Sequence, residues 1–138
     1  MWAEQDGRGI ACDRVTGYLL PNGARRSPTA SWTVKSRIAA SRQRYWHLCP
    51  DFVIELQSST DRPPVVREKM QEWISNGPQL GWLIDPQQRS VTIYRPNGGV
   101  ETRMDAASIE GEGPVAGFVL ELTSVWNPPA IASPNASR

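Results

Sequence analysis

The sequence predicts a mixed α/β domain of the α+β kind, in which a sheet of short strands carries one well-formed helix. Two patterns and one bound predict this. β-Branched and aromatic runs bounded by turn residues recur at GIACD, PDFVIELQS, GWLID and SVTIYRP. Only one segment places apolar residues at a sustained helical spacing: Val66, Met70, Trp73 and Ile74 fall at i, i+4, i+7 and i+8. The bound is length, because 138 residues with 39% hydrophobic and 21% charged content suit one domain with a modest core.

The elements follow in order. GIACD (9–13) and TGYLLPNG (16–23) have the separation of a hairpin, with Pro21-Asn22-Gly23 marking a turn. SPTASWTV (27–34) adds a third strand. KSRIAASRQRYWHLC (35–49) is polar and Arg-rich, and reads as a helical turn or two followed by loop. PDFVIELQS (50–58) is the expected central strand. Asp61 is a candidate N-cap for the helix, Pro63 and Pro64 suit only a first turn, and Asn76-Gly77 supplies the stop. GWLID (81–85) and SVTIYRP (90–96) form a hairpin that closes the sheet, and GFVLELTSVW (117–126) adds a short strand. NPPAIASPNASR (127–138) has the composition of a disordered tail, leaving 1–126 as the folded domain. A chain opening at Met1–Glu4 puts little ahead of the first strand. One face of the sheet is therefore expected to be exposed, or covered by a homodimer or another partner.

Composition excludes several functions. The start lacks a basic and apolar leader, and no apolar run approaches the ~20 residues of a membrane span, so a cytoplasmic protein without membrane contact is expected. Cys12 and Cys49 have no metal-type spacing and read as reduced, partly buried residues. A single histidine, His47, argues against zinc-hydrolase or Ser-His-Asp chemistry and suits a polar loop contact. The net charge of +1 hides an asymmetry: Arg14 to Pro50 holds seven basic residues and no acid, a pattern permissive for phosphate contact and equally suited to solvated loops.

Along a strand, Asp51, Val53, Glu55 and Gln57 share one face. Asp51 lies about 13 Å from Glu55 at ~3.3 Å per residue, too far to share one cation, and reads as a strand-entry or turn residue. Glu55 and Gln57 can converge. Lys69 lies about 40° from Trp73 on a helical wheel, so its stem can follow the core while its ammonium reaches the strand. A Glu–Gln–Lys group beside a basic segment suits phosphodiester hydrolysis, in which a carboxylate-held Mg²⁺ activates water and a lysine stabilises the developing charge. The bland alternative is a lysine that pairs with Glu72 or meets solvent.

The run CPDFVIELQSSTD followed by REKMQEWISNGPQLGWLIDPQQRSVTIYRP resembles the Uma family of restriction-endonuclease-like proteins, in the PD-(D/E)XK nuclease superfamily. GRGIACDRVTGYLLPNGARRSP before it and GFVLELTSVW after it agree, so the resemblance covers about residues 2–126. It implies an αβββαβ restriction-endonuclease-like core with a mixed sheet, here with its first helix largely missing, and Mg²⁺-dependent cleavage of DNA. It maps the strand acid and metal ligand to Glu55, the third motif position to Gln57, and the motif lysine, moved onto the helix, to Lys69. DNA contact would fall to Arg25, Arg26, Lys35, Arg37, Arg42 and Arg44.

Two departures stand out. The family's first metal-binding acid lies in a Ser-Pro-Asp-Ala-Ser-Trp stretch, and this chain has Thr29 at that position, which removes a hard anionic ligand for Mg²⁺. Asp13, on a neighbouring strand, is a conceivable substitute. The family's N-terminal helical region is reduced to a stub. Three readings therefore stay open here: a Mg²⁺-dependent endonuclease, a catalytically degenerate nuclease-fold module that binds DNA or a protein without cleavage, and a β-rich interaction domain with no nucleic-acid role.

Overall fold

A computed structural model describes residues 3, 6–13, 18–21, 23, 25–26, 28–35 and 49–128. Six strands make the main sheet in the spatial order β1-β4-β5-β6-β7-β8. They are β1 (Gly9–Asp13), β4 (Ala30–Val34), β5 (Phe52–Leu56), β6 (Leu80–Asp85), β7 (Ser90–Tyr94) and β8 (Val100–Met104). β2 (Tyr18–Leu19) pairs with β3 (Arg25–Arg26) in a separate ribbon, and β9 (Ser108–Glu110) pairs with β10 (Val119–Glu121) in another. Every neighbouring pair in the main sheet is antiparallel except β5 and β6. That parallel pair requires a crossover, and helix α1 (Pro63–Ser75) supplies it.

The anticipated α+β architecture with a mixed sheet is what the chain adopts. PDFVIELQS is central, as its β-branched content requires, with β4 on one side and β6 on the other. The pairings at the start differ from expectation. β1 pairs with β4 rather than with the segment after it, matching Gly9 to Val34 and Asp13 to Ala30. The TGYLLPNG turn leads instead into the small β2–β3 ribbon. GWLID and SVTIYRP do form a hairpin, but β8 follows it and takes the sheet edge. VETRM has a weak strand pattern, because alternate residues of an edge strand stay exposed and impose little apolar periodicity. The segment 36–48 and the tail 129–138 lie outside the described residues, as do His47 and Asn135.

Helix α1 has a simple local logic. Pro63 and Pro64 occupy its first turn, where no intrahelical N–H bond is lost. The N-cap is Arg62 in extended geometry, one residue later than expected. Asp61 is drawn away because its Oδ2 accepts the Ser58 N–H at 2.8 Å, closing a turn instead of capping the helix. Asn76 ends the helix and Gly77 follows with φ of +115°, a backbone that disfavours any side chain. Val66, Met70 and Trp73 are buried against Val53 and Leu83 of the sheet. Gly81 lets the helix sit close: a Cβ there would lie 3.0 Å from Met70 Cε and 3.4 Å from Ile74 Cδ1.

Much of the opposite face, expected to be exposed or covered by a partner, is packed against the chain's own C-terminal segment. Trp32, Phe52, Trp82, Ile84, Val91 and Ile93 form one cluster with Ile109, Val115, Leu122 and Trp126 from the chain's own C-terminal segment. That segment comprises the β9–β10 ribbon, a 3₁₀ turn (Gly113–Val115) and a short helix α2 (Thr123–Trp126). Phe118 stacks on Trp82 with ring centroids 5.9 Å apart. Arg95 at the end of β7 reaches Glu112 at 2.6 Å and Glu101 at 3.1 Å, tying the layer to the sheet rim. Ala3 is also buried in this cluster. The sequence pattern missed this because a three-residue strand and a four-residue helix are too short to show a period.

If this layer shares one core with the sheet, Leu122→Ala should cost about 2–5 kcal/mol, the range for deleting a buried leucine side chain. Urea unfolding followed by tryptophan fluorescence should show one transition at a lower midpoint. Two separated transitions would show that the C-terminal layer folds as an independent unit.

Candidate functional site

The side chains of Glu55 and Lys69 meet. Glu55 stands on the α1 side of β5, paired in register with Leu83, and it is only 4% exposed. Lys69 Nζ lies 3.1 Å from Glu55 Oε2, with 41% of the lysine side chain exposed. Trp73, one helical turn further, donates its indole N–H to the same oxygen at 3.0 Å. The i, i+4 relation of Lys69 and Trp73 puts both on the helix face that looks at the strand.

The other carboxylate oxygen belongs to Thr29. Its backbone N–H donates to Glu55 Oε1 at 3.1 Å, and its hydroxyl donates to the same atom at 3.2 Å. The hydroxyl oxygen in turn accepts the Leu56 N–H at 3.1 Å. The position precedes β4, and β4–β5 pairing at Ala30–Ile54 carries it alongside Glu55. Tyr18 supports the group from behind. Its ring packs edge-on against Trp73 at 6.2 Å, and its phenol shares a 2.7 Å hydrogen bond with Ser31. Burial pushes the Tyr18 phenol well above the ordinary range, so it stays neutral.

Gln57 shares the face of Glu55 but is not part of this cluster. Its side chain lines a separate open groove of about 650 Å³ between the start of α1 and strands β6–β8, shared with Arg67, Asp85 and Thr92. Asp51 is buried at the entry to β5. Its N–H donates to Trp32 O at 3.0 Å and its carbonyl accepts the Gln79 N–H at 2.8 Å, consistent with an entry residue. Among the expected DNA-contacting residues, Lys35 is exposed at the end of β4, and Arg25 and Arg26 form β3, of which the backbone alone is described. Arg37, Arg42 and Arg44 lie outside the described residues. Asp13 is in β1, paired with Ala30, and its backbone alone is described.

Sequence reasoning missed one member of the cluster and understated another. Trp73 was assigned to the core, which is correct for its ring, yet its N–H is a direct ligand of the carboxylate. Its spacing of four from Lys69 was the available signal. Thr29 was read as an absent ligand, whereas it is two donors.

This donor set decides whether a divalent cation fits. Mg²⁺ demands near-octahedral oxygen ligands at ~2.0–2.1 Å. Glu55 supplies one carboxylate, whose oxygens already accept two protons from Thr29, one from Trp73, and an ammonium contact. An amide N–H and an indole N–H have no lone pair to offer a cation. Among the described residues, no group of three or more His, Cys, Asp or Glu side chains could hold a metal. The described residues around Glu55 do not supply the set of oxygen ligands that Mg²⁺ takes. They fit a buried carboxylate hydrogen-bonded from two chain segments, Thr29 before β4 and the helix α1.

Removing that carboxylate should be costly. Glu55→Ala would strand the Trp73 N–H and the Thr29 donors, for an expected loss of about 1–3 kcal/mol per buried donor left unsatisfied. Lys69→Ala should cost less than about 1 kcal/mol, because the ammonium is substantially solvated. Chemical denaturation of both variants checks the order, and equal losses would contradict the arrangement.

Comparison with known proteins agrees with this fold. Among solved structures, the chain is similar to a putative nuclease belonging to DUF820 from Anabaena variabilis, with 21% identity and a TM-score of 0.76. The match covers 91% of this chain and 72% of that one, and at this identity it establishes the fold alone. No curated protein matches. No helix among the described residues is long and apolar enough to cross a membrane. A family model described as Uma2, putative restriction endonuclease, matches residues 1–123. The chain therefore belongs to the Uma2 family of restriction-endonuclease-like proteins.

Proposed function

We propose that this chain is a DNA-binding member of its nuclease family whose cleavage centre is held closed. The single observation that carries this reading is the hydrogen-bonding of Glu55, whose oxygens are both engaged by protein donors. A nuclease centre needs an open, anionic cradle that a cation can enter. Here the position of the partner acid is Thr29, which contributes protons instead of charge. DNA binding is supported by family membership and by the acid-free basic stretch from Arg14 to Pro50. Arg25, Arg26, Lys35, Arg37, Arg42 and Arg44 are its proposed phosphate contacts.

The 3.1 Å pairing of Glu55 with Lys69 favours a second reading, an active endonuclease with these two residues at the scissile phosphodiester. The two readings part on one experiment. Supercoiled plasmid incubated with the protein and Mg²⁺ or Mn²⁺ should stay intact, while retention of a fluorescent duplex should fall at least about tenfold between 50 and 200 mM salt. Divalent-dependent nicking that disappears in Glu55→Ala would establish the active enzyme instead. Salt-insensitive or absent retention would favour a protein-interaction domain.

Thr29→Asp probes the closed centre directly. It replaces a donor with a second carboxylate beside Glu55, so in EDTA the variant should melt below the parent, by a loss on the order of 1–3 kcal/mol. Millimolar Mn²⁺ should raise the melting temperature of the variant and leave that of the parent unchanged. A parent that also shifts with Mn²⁺ would show that its centre admits the cation.

A further inference from the structure

The groove that Gln57 lines is separate from the Glu55 cluster and nothing above gives it an occupant. Its volume of about 650 Å³ falls within the ~300–1,000 Å³ range of small-molecule clefts. Its lining is mixed: amides from Gln57, Gln87 and Gln88 and hydroxyls from Ser59, Thr92 and Thr102 sit beside the apolar surfaces of Leu83 and Val100.

The charges are few and placed. Among the described residues, Arg67 is the one cation in the lining, alongside Asp61 and Asp85. Both acids are oriented by their own turns. Asp85 Oδ1 accepts the N–H groups of Gln87 and Gln88 at 3.1 and 3.2 Å, and Asp61 Oδ2 accepts that of Ser58 at 2.8 Å. No hydrogen bond to the second oxygen of either carboxylate is seen among the described residues. Tyr94 closes the floor. Burial pushes its phenol up, and the exposed Arg67 lines the same groove.

A net negative, amide-lined groove with one cation repels a run of phosphates and accommodates one. It offers fixed acceptors and adaptable amides to a neutral hydrogen-bonding ring. Resting on the DNA-binding reading, we propose that this groove takes a single unstacked nucleotide. Arg67 holds its phosphate, and Asp85 with the neighbouring glutamines reads its base edge. Carboxylates accept from the exocyclic amino group of cytosine, and glutamine amides pair with adenine. Thymine presents only acceptors and an imide N–H. The groove therefore prefers amino-bearing bases, and a base must leave its stack to enter it.

The test is titration of the full chain with dCMP, dAMP, dTMP and deoxycytidine, followed by amide chemical shifts in two-dimensional NMR. dCMP and dAMP should move the amides of Gln57, Gln88 and Thr92, and dTMP should bind at least about fivefold more weakly. Arg67→Ala should erase the advantage of dCMP over deoxycytidine, and Asp85→Asn should narrow the preference over dTMP. Equal binding of dCMP and dTMP, or shifts confined to other surfaces, overturns the proposal. Duplex retention without shifts in the groove overturns this inference alone, whereas loss of both overturns the DNA-binding reading with it.

Discussion

A carboxylate held away from water must be neutralised or compensated, and the architecture around β5 is organised by that requirement. Glu55 gathers donors from the segment before β4, from α1 twice, and from a backbone amide. Each donor comes with an element already positioned by packing: β4 by its ladder with β5, α1 by the burial of Val66, Met70 and Trp73. The polar group sits where three apolar contacts converge, so it sets register at little conformational expense. A slip of β5 by one residue would turn Glu55 into the opposite, all-apolar layer.

The same arrangement separates fold from chemistry. The chain belongs to a restriction-endonuclease-like family, and in its sheet the carboxylate of Glu55 and the ammonium of Lys69 lie 3.1 Å apart. What differs is the sign of the third group. An aspartate before β4 would add negative charge and draw a cation, whereas Thr29 completes a neutral, proton-bonded knot.

Legibility in the sequence followed the length of each signal. PDFVIELQS and the α1 face were readable because four residues in each report the same period, and the β5–α1–β6 unit could be placed from them. The proximity of Glu55 and Lys69 followed from strand alternation and helix angle. The start of the chain was misread because the segments after Gly9 are short, and proximity in sequence suggested a β1–β2 hairpin where β1 in fact pairs with β4. The bonding of Trp73 was hidden by its bulk, since a ring that belongs in the core conceals an N–H that belongs to the site. Thr29 was visible as a substitution, but its role as a double donor depended on a main-chain direction that residue type does not encode.

The layer from Ser108 to Trp126 has a consequence for biogenesis. It leaves the ribosome after every strand of the six-stranded sheet, yet it is the cover for Trp82, Ile84, Val91 and Ile93. A nascent chain that has completed β8 therefore presents a bare aromatic wall until roughly twenty further residues emerge. Over that interval the polypeptide is a client for holdase chaperones, and a message cut short within the interval yields a sticky fragment instead of a smaller working domain.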